Sequence, residues 1–425
     1  MPNKLAKTAS KKHKKLRVLM ALSGGIDSAV SAWKLIQDGY EVEAAFMKNY
    51  SATKGLKYDE CPWLVDRQDA LRVAAFLGIP MHTVNYEKEY EKNVLDYFFK
   101  EYKAGHTPNP DVMCNKEIKF KMLYNWAIAN GFDYVATGHY AQVVEVKASK
   151  RDLNTKPVDN FSSVAQSKKV KNTAGKSSIS KNNAVSVTST YTLQRSADDF
   201  KDQTYFIYNI HTPQLPHLIF PIGGMKKSAV KTLAKKIGLP NAEKKESMGL
   251  CFVGKIRLKE FLDQKLKPKS GPIVRLDEKN KPVKIGTHEG LAYYTIGQRQ
   301  GVRVGAGGPW FVARKDLKTN TLVVTNDPHD KLLETKEIEV HSVNWITEPA
   351  SFPVKLQARF RHQGELQKIV IEKASHKTGS KTKSKSSHSD VYYKVTFAKP
   401  QLAIASGQSL VMYDGKICVG GGVIV

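Results

Sequence analysis

Apolar runs alternate with segments of helical period over the first 140 residues. The run Arg17–Leu22 precedes apolar positions at helical spacing (Ala29, Val30, Trp33 and Ile36), and a second apolar run, Val42–Met47, follows. Strands that alternate with helices form a parallel sheet covered on both faces, which binds ligands at the carboxyl ends of its strands. Further along the same region, the pattern predicts helices over 66–76, 87–103 and 118–129 and strands over 81–84 and 134–137.

The pattern changes in the second half of the chain. Residues 225–265 are mostly helical in period, and from about residue 285 the chain is Gly-rich with short β-branched runs at 321–325, 368–371 and 391–397. Such runs are typical of an all-β domain, here a small barrel. We therefore predict the following divisions: a basic tail or transit segment (1–16), a first domain (17–245) with a disordered insert (146–190), a central domain (246–305), and a C-terminal β-barrel (306–425) with an insert (373–389).

Charge is concentrated in three low-complexity stretches. The 425-residue chain has a net charge of +27. Residues 1–17, 146–190 and 373–389 carry 7, 9 and 5 Lys or Arg against 0, 2 and 0 acids. This excess suits a polyanionic partner such as nucleic acid, although the two internal stretches also fit solvated disorder. The first stretch contains Ser and Thr and lacks acids, as mitochondrial transit peptides do, but its Lys-rich composition equally fits a plain basic tail.

Four cysteines in so long a chain indicate a reducing compartment, where an important thiol is chemical rather than structural. No apolar run approaches the roughly 20 residues that cross a bilayer, so we expect a soluble protein.

The segment Ser23-Gly-Gly-Ile-Asp27-Ser28 lies where the first strand turns into a helix. Its glycines let backbone N–H groups approach an anion, and the helix N-terminus adds positive charge, so the segment predicts phosphate binding. It matches neither the Walker nor the Rossmann pattern. It resembles the signature of PP-loop pyrophosphatases, which cleave ATP between the α and β phosphates to adenylate a substrate oxygen. An ordinary tight turn is the alternative.

Two cysteines have surroundings that favour a thiolate. Cys114 precedes an apolar helical run and lies beside Lys116, with Asp111 near enough in sequence to act on a proton. A buried core cysteine next to a capping Asn115 explains the same spacing. Cys251 follows a glycine and lies near two lysines, whereas Cys61 and Cys418 fit structural roles better.

Two other segments are candidates for binding. Gly138 and His139 follow the strand predicted over 134–137, where a glycine permits close approach to a nucleotide. A histidine in this position is also common as a satisfied structural residue. The charged cluster over 198–203 fits a solvated turn when judged from composition alone.

These segments occur in a recognisable order. The chain contains SGGIDS, AAFMKNY, KAGHTPNPDVMCNKEIKF, ATGHY, KDQTYF, LCFVG, YTIGQRQG and GGGVIV in succession. It is similar over about residues 17–425, outside the two inserts, to the tRNA-specific 2-thiouridylases of the MnmA family. The resemblance implies an α/β PP-loop ATPase domain of the adenine nucleotide α hydrolase type, a small central domain and a C-terminal β-barrel. It also implies ATP-dependent 2-thiolation of the wobble uridine of tRNA.

The resemblance assigns roles to the chemical residues. ATP would adenylate the C2 oxygen of uridine, and Cys251 would carry the incoming sulfur as a persulfide from a donor protein. The persulfide sulfur would attack C2, and Cys114 would then attack the Cys251 sulfur, leaving 2-thiouridine and a Cys114–Cys251 disulfide. In the alternative, attack of Cys114 on the persulfide forms the disulfide first and releases hydrogen sulfide, which then attacks C2. Asp111 would act as general acid/base, with Asn109 and Pro110 positioning the base. ATP, accompanied by Mg²⁺ without identified protein ligands, would bind Ala21, Leu22, Ser23, Gly24, Gly25, Ile26, Asp27, Ser28, Met47 and Gly138.

The resemblance also assigns tRNA contacts, where an Arg–aromatic pair suits stacking on a splayed base. The residues concerned are Asn109, Pro110, Asp111, His139, Lys201, Asp202, Gln203, Arg359, Phe360 and Gln408. Met248 replaces a threonine that the family usually has near the persulfide thiol. The inserts favour a eukaryotic, mitochondrial member, with the cytoplasm as the alternative location. The alternative function is another PP-loop tRNA-modifying ligase that uses no thiols.

Overall fold

The computed structural model describes residues 15–51, 62–147, 189–245, 258–302, 304–305, 308–374 and 391–425. Cys61, Met248 and Cys251 lie outside these ranges, as do most of the two predicted inserts and of the basic first segment. Within the described ranges, no helix combines the length and the apolar character that crossing a membrane requires.

Numbered along the chain, the strands are β1 (Arg17–Ala21), β2 (Glu41–Lys48), β3 (Met81–Asn85), β4 (Tyr134–Ala136), β5 (Ala141–Lys147), β6 (Ser189–Arg195), β7 (Leu218–Ile219), β8 (Gly271–Leu276), β9 (Pro282–His288), β10 (Phe311–Asp316), β11 (Thr321–Thr325), β12 (Glu334–Trp345), β13 (Val354–Arg359), β14 (Gln367–Ala374), β15 (Tyr392–Leu402), β16 (Ser409–Asp414) and β17 (Ile417–Ile424). The α-helices are α1 (Ile26–Gln37), α2 (Pro62–Leu77), α3 (Glu87–Tyr90), α4 (Asp96–Lys103), α5 (Pro110–Cys114), α6 (Tyr124–Ala129), α7 (Thr204–Ile207), α8 (Lys227–Lys236) and α9 (Leu258–Asp263).

The first domain is built on a parallel sheet with strand order β3-β2-β1-β4-β7. Alternate residues of β1 pack on opposite faces: Leu19 lies against the region of α3 to α6, whereas Val18 and Met20 lie with residues of α1. Burial on both faces explains why the central strand β1 is a continuous apolar run after Arg17. The predicted α/β architecture is confirmed.

Two of the helical regions contain π-helical stretches. Glu91–Leu95 joins α3 to α4, and Asn115–Leu123 joins α5 to α6. The helix predicted to begin at residue 118 therefore begins at Pro110, because Asn109 caps it. The correction places Cys114 inside a helix rather than just before one.

The C-terminal barrel closes through six strands, β12-β15-β14-β13-β16-β17, with β17 pairing back onto β12. The hairpin of β5 and β6, which the sequence pattern did not predict, extends the same sheet because Gln194 of β6 pairs with Ile417 of β17. The first domain is thereby joined to the barrel through main-chain hydrogen bonds.

The central sheet has the order β10-β11-β8-β9 and buries Ile273, Val312 and Leu322 together. The predicted boundary at 305/306 is wrong, since it separates β10 and β11 from the strands with which they pair. The β region also begins at Gly271, before residue 285. A β-branched run indicates a strand but not the sheet that the strand joins, because pairing depends on partners distant in sequence.

Candidate active site

The loop of residues 21–28, here called the ATP loop, connects the carboxyl end of β1 to α1. Gly24 has a φ of +77°, and a Cβ on it would lie 2.4 Å from the backbone oxygen of Asp66. Gly25 is the N-cap of α1, and no side chain caps this helix end. The hydroxyl groups of Ser23 and Ser28 lie 3.2 Å apart and bond within the loop. The tight turn and the uncapped start of α1 fit a phosphate group.

Residues 227–244 hold the ATP loop from one side. Lys227 Nζ lies 2.7 and 2.8 Å from the two carboxylate oxygens of Asp27, and Asn241 Nδ2 donates to the Gly24 carbonyl oxygen at 2.9 Å. Lys244 pairs with Asp66 and Asp69 of α2 at 2.8 and 2.7 Å. Burial lowers the pKa of Lys244, but the hydrogen bonds that its ammonium group donates to these two carboxylates outweigh burial and raise the pKa above its ordinary value. Sequence reasoning missed Lys227 and Asn241 because no local motif marks them, and it considered Lys244 only as one of the two lysines near Cys251.

Three other predicted ATP contacts are buried side chains. Ala21, Leu22 and Met47 pack in the cores that surround β1 and β2. Contact of the Met47 side chain with adenine or ribose therefore stays a prediction.

Gly138 packs directly against the ATP loop. A Cβ at this position would lie 2.8 Å from the backbone nitrogen of Ser28 and 3.0 Å from the carbonyl carbon of Asp27. The ATP loop packs so closely on this position that it requires glycine, whether or not a nucleotide is bound.

Gly138→Ala is expected to displace the start of α1 and weaken ATP binding by about 10-fold or more, because real Cβ contacts do not occur at this distance. Titration calorimetry with a non-hydrolysable ATP analogue measures this change. Gly224→Ala is the matched control, since a Cβ there meets nothing within 4 Å. Equal affinities in the two variants would contradict the packing argument.

The predicted base-positioning loop begins α5. The Asn109 side chain accepts hydrogen bonds from the backbone nitrogens of Asp111 and Val112 at 3.1 and 3.2 Å, and Pro110 occupies the first helical position. Asn115 does not cap this helix; its Nδ2 donates to the Phe206 carbonyl oxygen at 3.0 Å. The capping alternative for Asn115 is therefore wrong.

Of the two candidate thiols, the structure describes Cys114 but not Cys251. Cys114 is 0% exposed and lies in the main hydrophobic core of the first domain. It is the last residue of α5, beyond the first turn, where the helix dipole acts less strongly. Cys251 lies outside the described residues, so the pairing of these thiols stays a prediction. Burial, together with the charge of Asp202, raises the pKa of the Cys418 thiol, which agrees with a structural role.

The barrel supports the loop that carries Asn109. Thr107 donates its backbone N–H to the Ser406 carbonyl oxygen at 2.8 Å, and Gln408 Nε2 donates to the Thr107 carbonyl oxygen at 3.0 Å. Tyr205 Oη in turn lies 3.4 Å from Gln408 Oε1 and 3.1 Å from the Ser409 carbonyl oxygen. The structure thus brings Gln408 to the base-positioning loop.

Residues 196–203, here called the recognition loop, are not a simple solvated turn. Asp202 is 0% exposed and accepts hydrogen bonds from the Thr204 hydroxyl at 2.8 Å and from the Ser196 backbone nitrogen at 3.2 Å. Lys201 is half-buried, and Phe200 beside it is 65% exposed. An exposed aromatic ring next to a lysine suits stacking on a nucleotide base, a feature that sequence reasoning missed.

Arg359 and Phe360 do not form the predicted pair. Arg359 is 3% exposed, and its Nη1 lies 3.4 Å from the carboxylate of Asp202. Arg361, which is exposed, instead lies over the Phe360 ring at 5.0 Å. Because the Arg359 and Asp202 side chains are closed to solvent, tRNA contact by either would require this ion pair to open and stays a prediction.

His139 is buried between Phe120 and Phe220, and its Nδ1 lies 2.7 Å from the Thr137 hydroxyl. Burial, aided by Lys119, holds the pKa of His139 well below its ordinary value. The ring is therefore neutral at pH 7. A contact between His139 and tRNA stays a prediction, and a neutral ring would make it as a hydrogen bond rather than an ion pair.

This burial predicts an acid-sensitive stability. Above about pH 6.5 the histidine is neutral in both folded and unfolded chains, but below it the unfolded chain binds the proton first, so stability falls as pH falls. The melting temperature of His139→Gln is expected to drop less than that of the wild type between about pH 7.5 and pH 5. The exposed His329→Gln serves as the control and should behave like the wild type. An identical drop in all three proteins would contradict the prediction.

Within the part of the chain that the structure describes, no group of three or more His, Cys, Asp or Glu side chains could hold a metal ion.

Comparison with known proteins covers almost the whole chain. Residues 16–255 match a family described as the tRNA methyl transferase HUP domain, residues 259–326 match its PRC-barrel domain, and residues 335–424 match an aminomethyltransferase beta-barrel domain. The matches separate the central sheet from the barrel as the strand pairing does. A solved 4-thiouridine synthetase–RNA complex with bound ATP is 17% identical, with a TM-score of 0.31, over 58% of this chain and 50% of that chain.

Curated relatives are similar from end to end. The tRNA-specific 2-thiouridylase MnmA of Halalkalibacterium halodurans is 40% identical over 98% of this chain and 96% of its own length. The protein of the same name from Streptococcus pyogenes serotype M4 is 39% identical over 96% of this chain and 95% of its own length. On this similarity, the chain belongs to the tRNA-specific 2-thiouridylase MnmA family.

Proposed function

We propose that this chain is a tRNA-uridine 2-sulfurtransferase that uses ATP to thiolate C2 of the wobble uridine. The observation that carries the proposal is the near-full-length identity of 40% to a named tRNA-specific 2-thiouridylase. The ATP loop and the base-positioning loop support it, because both are held in defined geometry and Cys114 lies next to the second. No comparable support exists for methyl transfer, although two of the matching family descriptions use that term.

ATP fits the ATP loop through the uncapped start of α1 and the glycines that bring the backbone close. When bound, ATP supplies an adenylate on the C2 oxygen, which then leaves as AMP. Lys227 and Asn241 hold the loop through the Asp27 carboxylate and the Gly24 carbonyl oxygen. Mg²⁺ accompanying ATP is part of the proposal without assigned protein ligands.

Cys251 is proposed to receive a sulfane sulfur from a persulfide donor protein. The terminal sulfur of this persulfide forms a bond to C2 while the C2–oxygen bond to AMP breaks. Cys114, as a thiolate, then attacks the Cys251 sulfur, and the electron pair of the S–S bond passes to the sulfur on C2. The products are 2-thiouridine and a Cys114–Cys251 disulfide, which an external thiol must reduce before the next turnover. Asp111, which is half-buried at the start of α5, is proposed to exchange protons with the base.

The experiment that tests the proposed function supplies the purified chain with unmodified tRNA, ATP and a cysteine desulfurase with cysteine as sulfur source. Mass spectrometry of the nucleosides is expected to detect 2-thiouridine, and AMP should appear in equal amount. AMP formed with a different modified nucleoside would favour a thiol-independent PP-loop ligase. A methylated nucleoside that depends on a methyl donor would favour methyl transfer.

We also propose a mitochondrial location from the basic composition of the first segment, with the cytoplasm as the alternative. Fractionation of cells that express the chain with and without residues 1–16 tests this location. Mitochondrial enrichment that requires those residues is the expected result.

A further inference from the structure

Asp27 of the ATP loop is joined to the recognition loop by Lys227. The ammonium group of Lys227 contacts both carboxylate oxygens of Asp27 at 2.7 and 2.8 Å. Its backbone nitrogen donates to Asp198 Oδ2 in the recognition loop at 2.9 Å. One residue at the start of α8 therefore contacts both loops.

Tyr140 makes a second connection by a separate route. Its hydroxyl donates to Asp27 Oδ1 at 2.9 Å. Its backbone nitrogen donates to the Gln203 side-chain oxygen at 2.9 Å, and its carbonyl oxygen accepts from the Gln203 backbone nitrogen at 2.9 Å. The same carboxylate is thus linked to two points of the recognition loop, Asp198 and Gln203.

Both connecting residues are shielded from water. Lys227 is 8% exposed and Tyr140 is 2% exposed, and the ammonium group lies 5.8 Å from the centre of the Tyr140 ring. Burial opposes ionisation of Asp198, but backbone hydrogen bonds from Lys227, Lys201 and Phe200 lower its pKa below the ordinary value. The Asp27 side chain that both residues contact is 32% exposed, so solvent screens these contacts in part, though less than a fully exposed pair.

We propose that Lys227 and Tyr140 are positioning residues that couple nucleotide binding at the ATP loop to tRNA binding at the recognition loop. The inference rests on the proposed function, since it assigns ATP and tRNA to these two loops. A phosphate at the ATP loop competes with Asp27 for the Lys227 ammonium group, and any shift of Lys227 or Asp27 is transmitted to Asp198 or Gln203. By linkage, tRNA must change the affinity for ATP by the same factor by which ATP changes the affinity for tRNA.

The test is the affinity of the full chain for a non-hydrolysable ATP analogue, measured by calorimetry with and without unmodified tRNA. In the wild type, tRNA is expected to lower the Kd of the analogue about 10-fold. In Tyr140→Phe and Lys227→Met this factor is expected to fall below about 2-fold, while the affinity for tRNA alone changes less than about 3-fold. Lys227→Arg, which keeps the charge, should recover part of the coupling.

Matched controls separate coupling from general damage. Lys235→Met removes an exposed lysine of the same helix that pairs with Glu243 at 3.0 Å, and Tyr40→Phe removes a hydroxyl elsewhere in the domain. Both controls should keep the wild-type factor. If Lys227→Met fails to fold, Tyr140→Phe still decides the matter, because it removes one oxygen atom and keeps both main-chain bonds to Gln203.

Two results would overturn the inference. One is a wild-type coupling factor near 1 in a chain that binds both substrates and makes 2-thiouridine, which leaves the proposed function intact. The other is an unchanged factor in both variants. A chain that binds neither ATP nor tRNA and forms no 2-thiouridine would instead refute the proposed function, and the inference with it.

Discussion

Replacing either Cys251 or Cys114 by serine is expected to reduce 2-thiouridine formation by about 10³-fold or more. A serine hydroxyl neither carries a sulfane sulfur nor attacks a persulfide. Pyrophosphate release should persist, because adenylation of the C2 oxygen requires neither thiol. The measurement is single-turnover thiolation followed by nucleoside mass spectrometry, with pyrophosphate assayed in parallel. Cys418→Ala, which changes a buried barrel thiol, should thiolate like the wild type.

The Cys114→Ser variant also distinguishes the two routes of sulfur transfer. If the persulfide attacks C2 directly, the uridine remains linked to Cys251 through a disulfide that Cys114 would have cleaved. If hydrogen sulfide is released first, no such adduct forms. Undiminished thiolation in Cys251→Ser would refute the assigned role and favour a thiol-independent ligase.

Asp202→Asn is expected to destabilise the protein by about 3–5 kcal/mol, the usual effect of breaking a buried ion pair from one side. Asp202 lies 3.4 Å from Arg359 Nη1 and 3.5 Å from Arg195 Nε. Both Arg Nε atoms are buried without a hydrogen-bond partner, so the Asp202 charge compensates them through space. Without the Asp202 carboxylate, the positive charge of these arginines remains buried at the contact between the recognition loop and the barrel.

Denaturant unfolding followed by circular dichroism measures this loss. Glu337→Gln breaks an exposed barrel pair with Lys394 and should leave the midpoint unchanged. The double variant Asp202→Asn/Arg359→Met should recover part of the lost stability, because it removes the stranded charge as well. An Asp202→Asn midpoint equal to that of the wild type would contradict a structural role for this pair.

Local features of the site could be predicted from the sequence. The strand, glycine turn and helix around the ATP loop lie within about thirty residues, so apolar period and turn chemistry indicate them directly. The structural role of Cys418 could also be predicted from its neighbours in the sequence, because they form an apolar strand, and the structure shows this cysteine buried. The start of α5 was predicted eight residues too late, because Asn109 rather than Asn115 caps it.

Features that join distant segments could not be predicted in this way. Arg359 was expected on an RNA-binding surface, but it is buried and paired with Asp202. Arg361 lies over the Phe360 ring in its place. Lys227 carries no motif, and only its contact with Asp27, 200 residues away in the chain, shows its importance.

The sequence by itself determined the α/β first domain, the ATP loop and the family to which the chain belongs, because short-range period and ordered motifs encode them. Only the tertiary structure decided which strands share a sheet, which charged side chains are buried and how Lys227 and Tyr140 connect the ATP loop to the recognition loop. Those outcomes depend on strand pairing and on the burial of charged groups, both of which involve residues far apart in the chain. The free energies of pairing and of desolvation are therefore fixed only when the distant segments come into contact.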